Sequence, residues 1–240
     1  QQIGPIALRS RWDGERLRGE AWWPKQSLKV FQPLLAPDLN LTLRDGEFYA
    51  QSAFSAAREQ GFEAGGHWVV KNGGMWLKDG EMSGLDFILS YRFKQHQWLL
   101  GAKQPVSLRI KSFSNLFEMQ NISADLQGTY PYSEGQPLTL SNVGVDMLNG
   151  HISLSALRLP QHDAAVLKLD KVDLSALFTA LKPKQFAMSG RVDGELPLFL
   201  NHPKWLVQNG WIANAGTLTL RLDKDMADAI GSNNLATGAA

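Results

Sequence analysis

A chain of 240 residues with 24 basic and 23 acidic side chains has a formal net charge of only +1, so it lacks the long-range field that draws proteins onto nucleic acid. It contains no cysteine, which removes disulfides, thiolate metal sites and cysteine nucleophiles together. Hydrophobic residues make up 44% of it, enough to bury apolar surface, yet its best apolar runs, Phe87-Ile88-Leu89 and Trp98-Leu99-Leu100, fall far short of the roughly 18 to 20 residues of a membrane-crossing helix.

Gln1 opens neither a start methionine nor a signal peptide, so the chain reads as a segment of a longer protein whose anchor would lie outside it. Gln26 to Phe31, between Pro24 and Pro33, is the first helical candidate, short and apolar enough to plug a sheet. Leu39, Leu41 and Leu43 alternate with polar residues before Asp45-Gly46, and Phe48, Ala50, Ser52 and Phe54 continue after it, which predicts a hairpin. Val106, Leu108 and Ile110 alternate with Ser107, Arg109 and Lys111. Ile152, Leu154 and Ala156 alternate with Ser153 and Ser155.

Leu174, Leu177, Phe178 and Leu181 fall at helical spacing after a capping Asp173, with Pro183 as the stop. Leu218, Leu220 and Leu222 then alternate with Thr217, Thr219 and Arg221. Residues 223–240 turn polar and small, which predicts a mobile segment after a continuous β unit over residues 1–222.

Seven Asp-Gly or Asn-Gly pairs, at Asp13, Asp45, Asn72, Asp79, Asn149, Asp193 and Asn209, punctuate the strands; these dipeptides tolerate the positive φ of a two-residue hairpin turn. The pattern predicts about 15 strands, and at about 4.8 Å per strand they would form a sheet some 70 Å long. Such a sheet twists or curls. The predicted fold is therefore all-β: an elongated, twisted, mostly antiparallel sheet curled into an open U-shaped groove, with one or two short helices.

Chemistry is sparse. The five histidines, His67, His96, His151, His162 and His202, have no metal-binding spacing, and His162-Asp163 follows Pro160 in a polar loop without a nucleophile. There is no nucleophile elbow, phosphate loop or dinucleotide fingerprint. Asp193 and Glu195 flank Gly194, where turn chemistry explains them better than a paired-carboxylate site. Trp22-Trp23, Trp68, Trp76, Trp98, Trp205 and Trp211 are spread along the chain, which favours core and rim positions over a carbohydrate platform. No enzyme, cofactor or metal site is predicted.

Two successions of phrases carry further information: Asn121-Ile122-Ser123-Ala124-Asp125-Leu126-Gln127-Gly128 before Leu138-Thr139-Leu140-Ser141-Asn142-Val143-Gly144-Val145-Asp146-Met147-Leu148-Asn149-Gly150, and Met188-Ser189-Gly190-Arg191-Val192-Asp193-Gly194-Glu195-Leu196-Pro197-Leu198 before Gln208-Asn209-Gly210-Trp211-Ile212-Ala213-Asn214-Ala215-Gly216-Thr217-Leu218. With Leu17-Arg18-Gly19-Glu20-Ala21-Trp22-Trp23-Pro24 and Phe31-Gln32-Pro33-Leu34-Leu35 upstream, and Ser155 to Pro160 and Val172 to Leu177 between, their order over about residues 17 to 222 resembles the AsmA-like intermembrane bridge proteins of Gram-negative bacteria.

The resemblance implies a periplasmic segment of an inner-membrane-anchored protein that conducts phospholipid towards the outer membrane through an apolar β-groove. It also implies two partners: the outer-membrane lipoprotein YnbE, adding a strand at the bridge's C-terminal end, and the periplasmic helper YdbL. Candidate lipid-lining residues are Leu41, Leu43, Phe48, Val106, Leu108, Ile110, Leu138, Leu140, Ile152, Leu154, Leu218 and Leu220. The same residues would equally fill a closed sandwich or barrel core, as in a glycan- or protein-binding module; alternation alone does not separate the two.

Overall fold

The computed structural model describes residues 6–181, 186–200, 206–207, 210–215 and 219–222. A period of two places every second side chain on the same face and so dictates strands over most of that length. In chain order they are β1 (Ala7–Trp12), β2 (Arg16–Ser27), β3 (Thr42–Ala57), β4 (Gly61–Leu77), β5 (Gly80–Lys94), β6 (Gln97–Leu100), β7 (Val106–Ser114), β8 (Glu118–Tyr130), β9 (Leu138–Met147), β10 (Gly150–Leu154), β11 (Leu157–Leu159), β12 (Ala165–Asp173), β13 (Phe186–Ser189), β14 (Arg191–Phe199), β15 (Leu206–Val207), β16 (Trp211–Asn214) and β17 (Thr219–Leu222).

Fifteen of these form one antiparallel sheet, and sequence neighbours are mostly sheet neighbours. β1 to β5 follow in order; β6 and β7 both lie between β5 and β8. β9 comes next, then β10 with β11 beyond its end, β12, β14 and finally β15 and β16. Among the described residues the two margins of the sheet do not pair with each other. The sheet is thus an open, curled ribbon, and the closed sandwich or barrel that alternation left possible does not form. β13 and β17 make a separate two-stranded ribbon.

Among the described residues helical structure is found at the two predicted places and in one further 3-10 turn. A 3-10 segment, η1 (Leu28–Leu34), replaces the α-helix expected over Gln26 to Phe31, since Pro33 lies within it. η2 (Pro37–Leu39) follows. The helix α1 (Leu174–Leu181) starts where Asp173 Oδ1 accepts hydrogen bonds from the backbone N–H groups of Ser175 (2.9 Å) and Ala176 (3.3 Å), the side-chain cap expected of that residue.

Turn chemistry is only partly as predicted. Asp13-Gly14, Asp79-Gly80 and Asn149-Gly150 sit at the β1–β2, β4–β5 and β9–β10 connections. Asp45-Gly46, Asn72-Gly73 and Asp193-Gly194 instead lie inside the continuous strands β3, β4 and β14, so the hairpin expected at Asp45-Gly46 is a single strand. Asn209 lies outside the described residues, as do residues 223–240. Asp45-Gly46 and Asn72-Gly73 face each other across β3 and β4 as paired bulges, where the register shifts twice. Gly46 has φ 116° and a Cβ on it would stand 2.7 Å from the Cα of Gly73, so only glycine fits.

Left-handed residues recur at comparable places: Asn72, Gly84, Asn121, Asn142 and Lys171 all have φ between 50° and 67°. Bulges bend a strand and increase its twist while leaving ladder groups unpaired. Aspartates on the neighbouring strand accept hydrogen bonds at these places, two from backbone N–H groups and two from asparagine side chains. Asp86 Oδ1 accepts from Asn72 N (3.0 Å), Asp193 Oδ1 from Lys171 N (2.8 Å), Asp146 Oδ2 from Asn121 Nδ2 (2.8 Å) and Asp125 Oδ2 from Asn142 Nδ2 (2.8 Å). Asp125 is buried and also takes two bonds from the Arg109 guanidinium, at 2.8 and 3.2 Å.

No large side chain among the described residues is fully buried, as a single sheet without a second layer requires. The densest packing lies where η1 folds back onto the start of β3: Leu28, Leu43, Phe48 and Ala50 are buried, with Phe31, Leu35, Val70 and Met75 against them. The Phe31 ring meets Phe48 edge-on at 4.8 Å. Gln32 fastens the flap, donating from Nε2 to Leu41 O (2.9 Å) while its Oε1 accepts from Leu43 N (2.6 Å).

Two outcomes follow from this packing. The Arg109 hydrogen bonds, helped by Asn142 and opposed by burial, hold the Asp125 carboxyl below its ordinary range. Its stabilisation is therefore complete above the unfolded carboxylate pKa of about 3.9 and is lost as pH falls through the lower folded value. Asp125→Asn should cost about 2 kcal/mol in urea unfolding at neutral pH, with the gap to the parent chain closing towards about pH 2. Phe31→Ala should cost about 2 kcal/mol, roughly half the loss for a fully buried phenylalanine, and should red-shift the fluorescence of Trp68, which packs on Phe48 at 5.8 Å.

Candidate functional site

Directly opposed residues in an antiparallel pair point to the same face, so the strand register reports how the apolar side chains join. From Phe48 the row runs through Val70 and Phe87 to Leu108 and Ala124. A second runs from Leu85 through Ile110 to Ile122. Further along, Val145, Ile152 and Leu169 stand in line, as do Val143, Leu154, Leu167 and Leu196. A third row passes from Val106 through Leu126 and Leu140 to Leu157, while Gly128, Leu138 and Leu159 form the next.

Nine of the twelve predicted lining residues, Leu43, Phe48, Val106, Leu108, Ile110, Leu138, Leu140, Ile152 and Leu154, therefore share one face of one sheet. Leu41 precedes β3 and packs against the η1 core. Leu218 lies outside the described residues, and Leu220 stands in β17, opposite Met188 in the separate ribbon. Leu43 and Phe48 lie under the η1 flap, so the face is covered there by the chain itself; beyond β4, Val106, Ile110 and Leu138 are also buried, while Leu108, Leu140, Ile152 and Leu154 keep part of their surface exposed.

Strands β4 and β5 supply much of the face, including Trp68, Val70, Phe87, Leu89 and Tyr91, none of which the sequence reading placed among the lining residues. Glycines at 65, 66, 73 and 74 and the bulge at Asn72 interrupt the alternation of β4, which hides it from a search for period two. Each hydrophobic residue of these strands would have been found by pairing it with its neighbour, since the register itself is regular between bulges.

The opposite face is mostly polar, apart from the buried Val69 between Tyr49 and Ile88. It carries the Arg109–Asp125 pair, the His151 Nδ1 contact with Asp146 Oδ1 at 2.6 Å, and Ser153 opposite Lys168. Asn121 first and His151 second hold the Asp146 carboxyl below its usual range. His162 Nε2 lies 2.8 Å from both carboxylate oxygens of Glu134 in an exposed loop pair. Among the described residues no three His, Asp or Glu side chains are grouped to hold a metal ion, and no helix is long and apolar enough to cross a membrane. The arrangement is one of surface chemistry: a hydrocarbon face backed by charged and hydrogen-bonded groups.

Known proteins with the same sequence pattern can now be set beside this geometry. The probable phospholipid transport protein YdbH of Escherichia coli strain K12 is 56% identical over 239 residues, which is 100% of this chain and 27% of that protein. The chain thus spans about a quarter of the relative's length, and the match extends beyond residues 17 to 222 on both sides. No solved structure matches the chain. The family model for YdbH-like proteins, described as intermembrane phospholipid transport protein YdbH, matches residues 1–240, and the chain belongs to that family.

Proposed function

We propose that this chain is a stretch of a phospholipid conduit in which acyl chains travel along the apolar face while headgroups remain in water. The observation that carries this reading is the continuity of hydrocarbon side chains across strands β3 to β14 on a sheet that stays open. Exposing one acyl chain of about sixteen carbons to water costs on the order of 13 kcal/mol, at about 0.8 kcal/mol per methylene. A continuous apolar wall removes that barrier, and an open side avoids the cost of desolvating the charged headgroup. No step needs a nucleophile, an acid or a base.

The family and the named relative support placing this stretch in the periplasm, within a protein anchored in the inner membrane and reaching towards the outer membrane. On the same reading YnbE adds a strand to an open sheet margin and YdbL assists. Strand addition suits an open sheet, because its last strand keeps a row of unpaired N–H and C=O groups. The lining residues are the nine that share the apolar face, together with Leu41, Leu218 and Leu220 of the original set.

A paired substitution tests the reading. Ile152→Asp or Leu154→Asp places a carboxylate in the path, whereas Ser153→Asp places one on the polar face opposite Lys168. A penalty of only about 1.4 kcal/mol already slows passage tenfold. Fluorescent phospholipid transfer between donor and acceptor vesicles should fall at least about tenfold for the first two and stay unchanged for Ser153→Asp. Equal transfer by all three variants would remove the apolar face from the mechanism.

A further inference from the structure

The apolar face is chemically graded across its width. At one margin, next to the hairpin tips of β4–β5, β7–β8 and β9–β10, an unbroken cross-strand row reads Leu43, Met75, Met82, Phe113, Met119 and Met147. Both ends of this row belong to the apolar face. Leu43 and Met75 pack in the η1 core, and Met147 continues the alternation of Val145, which stands opposite Ile152. None of these side chains has a nitrogen or oxygen, and methionine is the side chain that adapts most readily to irregular hydrocarbon.

The other margin, at the tips of β1–β2, β3–β4 and β5–β6, is aromatic and partly polar. Phe62 and Phe93 stand 6.1 Å apart, Phe93 and Trp98 4.8 Å apart, and Trp98 faces Tyr130. Trp12 extends this margin on β1. Trp12, Trp98 and Tyr130 are exposed, and each joins an apolar ring to one N–H or O–H, the combination that favours the boundary between lipid tails and headgroups. One row inward, Ser52 Oγ and Tyr91 Oη hydrogen-bond at 2.6 Å on the face itself.

An excess of positive charge lies behind the same margin. A cavity of about 450 Å³ is lined by three successive cross-strand rows. Arg9 and Arg92 come from one together with Glu20, Arg11 and Arg18 from another together with Glu63 and Lys94, both turned away from the apolar face. No carboxylate among the described residues lies within ion-pair range of these four guanidinium groups. Guanidinium is the side-chain group best shaped to bind a phosphate diester.

Building on the conduit reading, we propose that phospholipid lies across the groove in one fixed sense: its phosphate and glycerol at the aromatic, arginine-backed margin, and its acyl ends at the methionine margin. The test uses the whole chain labelled with [methyl-¹³C]methionine and ¹⁵N-tryptophan, loaded with phosphatidylcholine carrying a nitroxide either on the headgroup or near the end of an acyl chain. The acyl nitroxide should broaden the methyl signals of Met75, Met82, Met119 and Met147 more strongly than the indole N–H signals of Trp12 and Trp98, and the headgroup nitroxide should do the reverse. Broadening of both margins equally by either probe, or the opposite assignment, overturns the proposal while leaving lipid binding intact. Absence of broadening by both probes overturns it together with the conduit reading.

Discussion

Hydrocarbon side chains standing in register on one side of a sheet have to be covered, and covering them is what usually makes a sheet into a sandwich or a barrel. Among the described residues no second sheet supplies that cover, and the one core cluster forms where η1 folds onto the face over Leu43, Phe48 and Ala50. The consequence runs through the whole molecule, since no large side chain among the described residues is fully buried and the face mixes buried residues such as Val106, Ile110 and Leu138 with partly exposed ones such as Leu108, Ile152 and Leu154. The stability of the sheet must then rest on its ladders, its turns and its polar back more than on a central core. The same lack of cover leaves hydrocarbon accessible to a second hydrocarbon molecule, so the constraint that shapes the fold also supplies its use.

The polar back is correspondingly well organised. Left-handed Asn72, Asn121, Asn142 and Lys171 mark the places where strands bend, and Asp86, Asp146, Asp125 and Asp193 take up hydrogen bonds at those bends. Asp125 joins three strands at once, through Arg109 on β7 and Asn142 on β9. The charges sit opposite the face that would meet lipid, where they hold the curvature without placing desolvated charge in the apolar path.

Much of this was legible in the residues. The alternation at Val106, Leu108 and Ile110 and at Ile152 and Leu154 placed those side chains on one face correctly, and the Asp173 cap located the helix. Asp45-Gly46 was misread because the dipeptide that permits positive φ serves a bulge as well as a turn; only the partner strand, with its own Asn72-Gly73, decides between them. The methionine row was invisible for a related reason. Its members are separated by up to 37 positions, between Met82 and Met119, and only the register of five strand pairs brings them into line. Openness was likewise beyond the sequence, because a single covered face and a bare one have the same period.

The most direct test of the central claim is native mass spectrometry of the chain purified without detergent from Gram-negative cells. An accessible apolar face predicts adducts with the masses of cellular phospholipids, retained by the parent chain and Ser153→Asp and lost from Leu154→Asp. A bare chain in every case, or adducts insensitive to Leu154→Asp, would contradict the account.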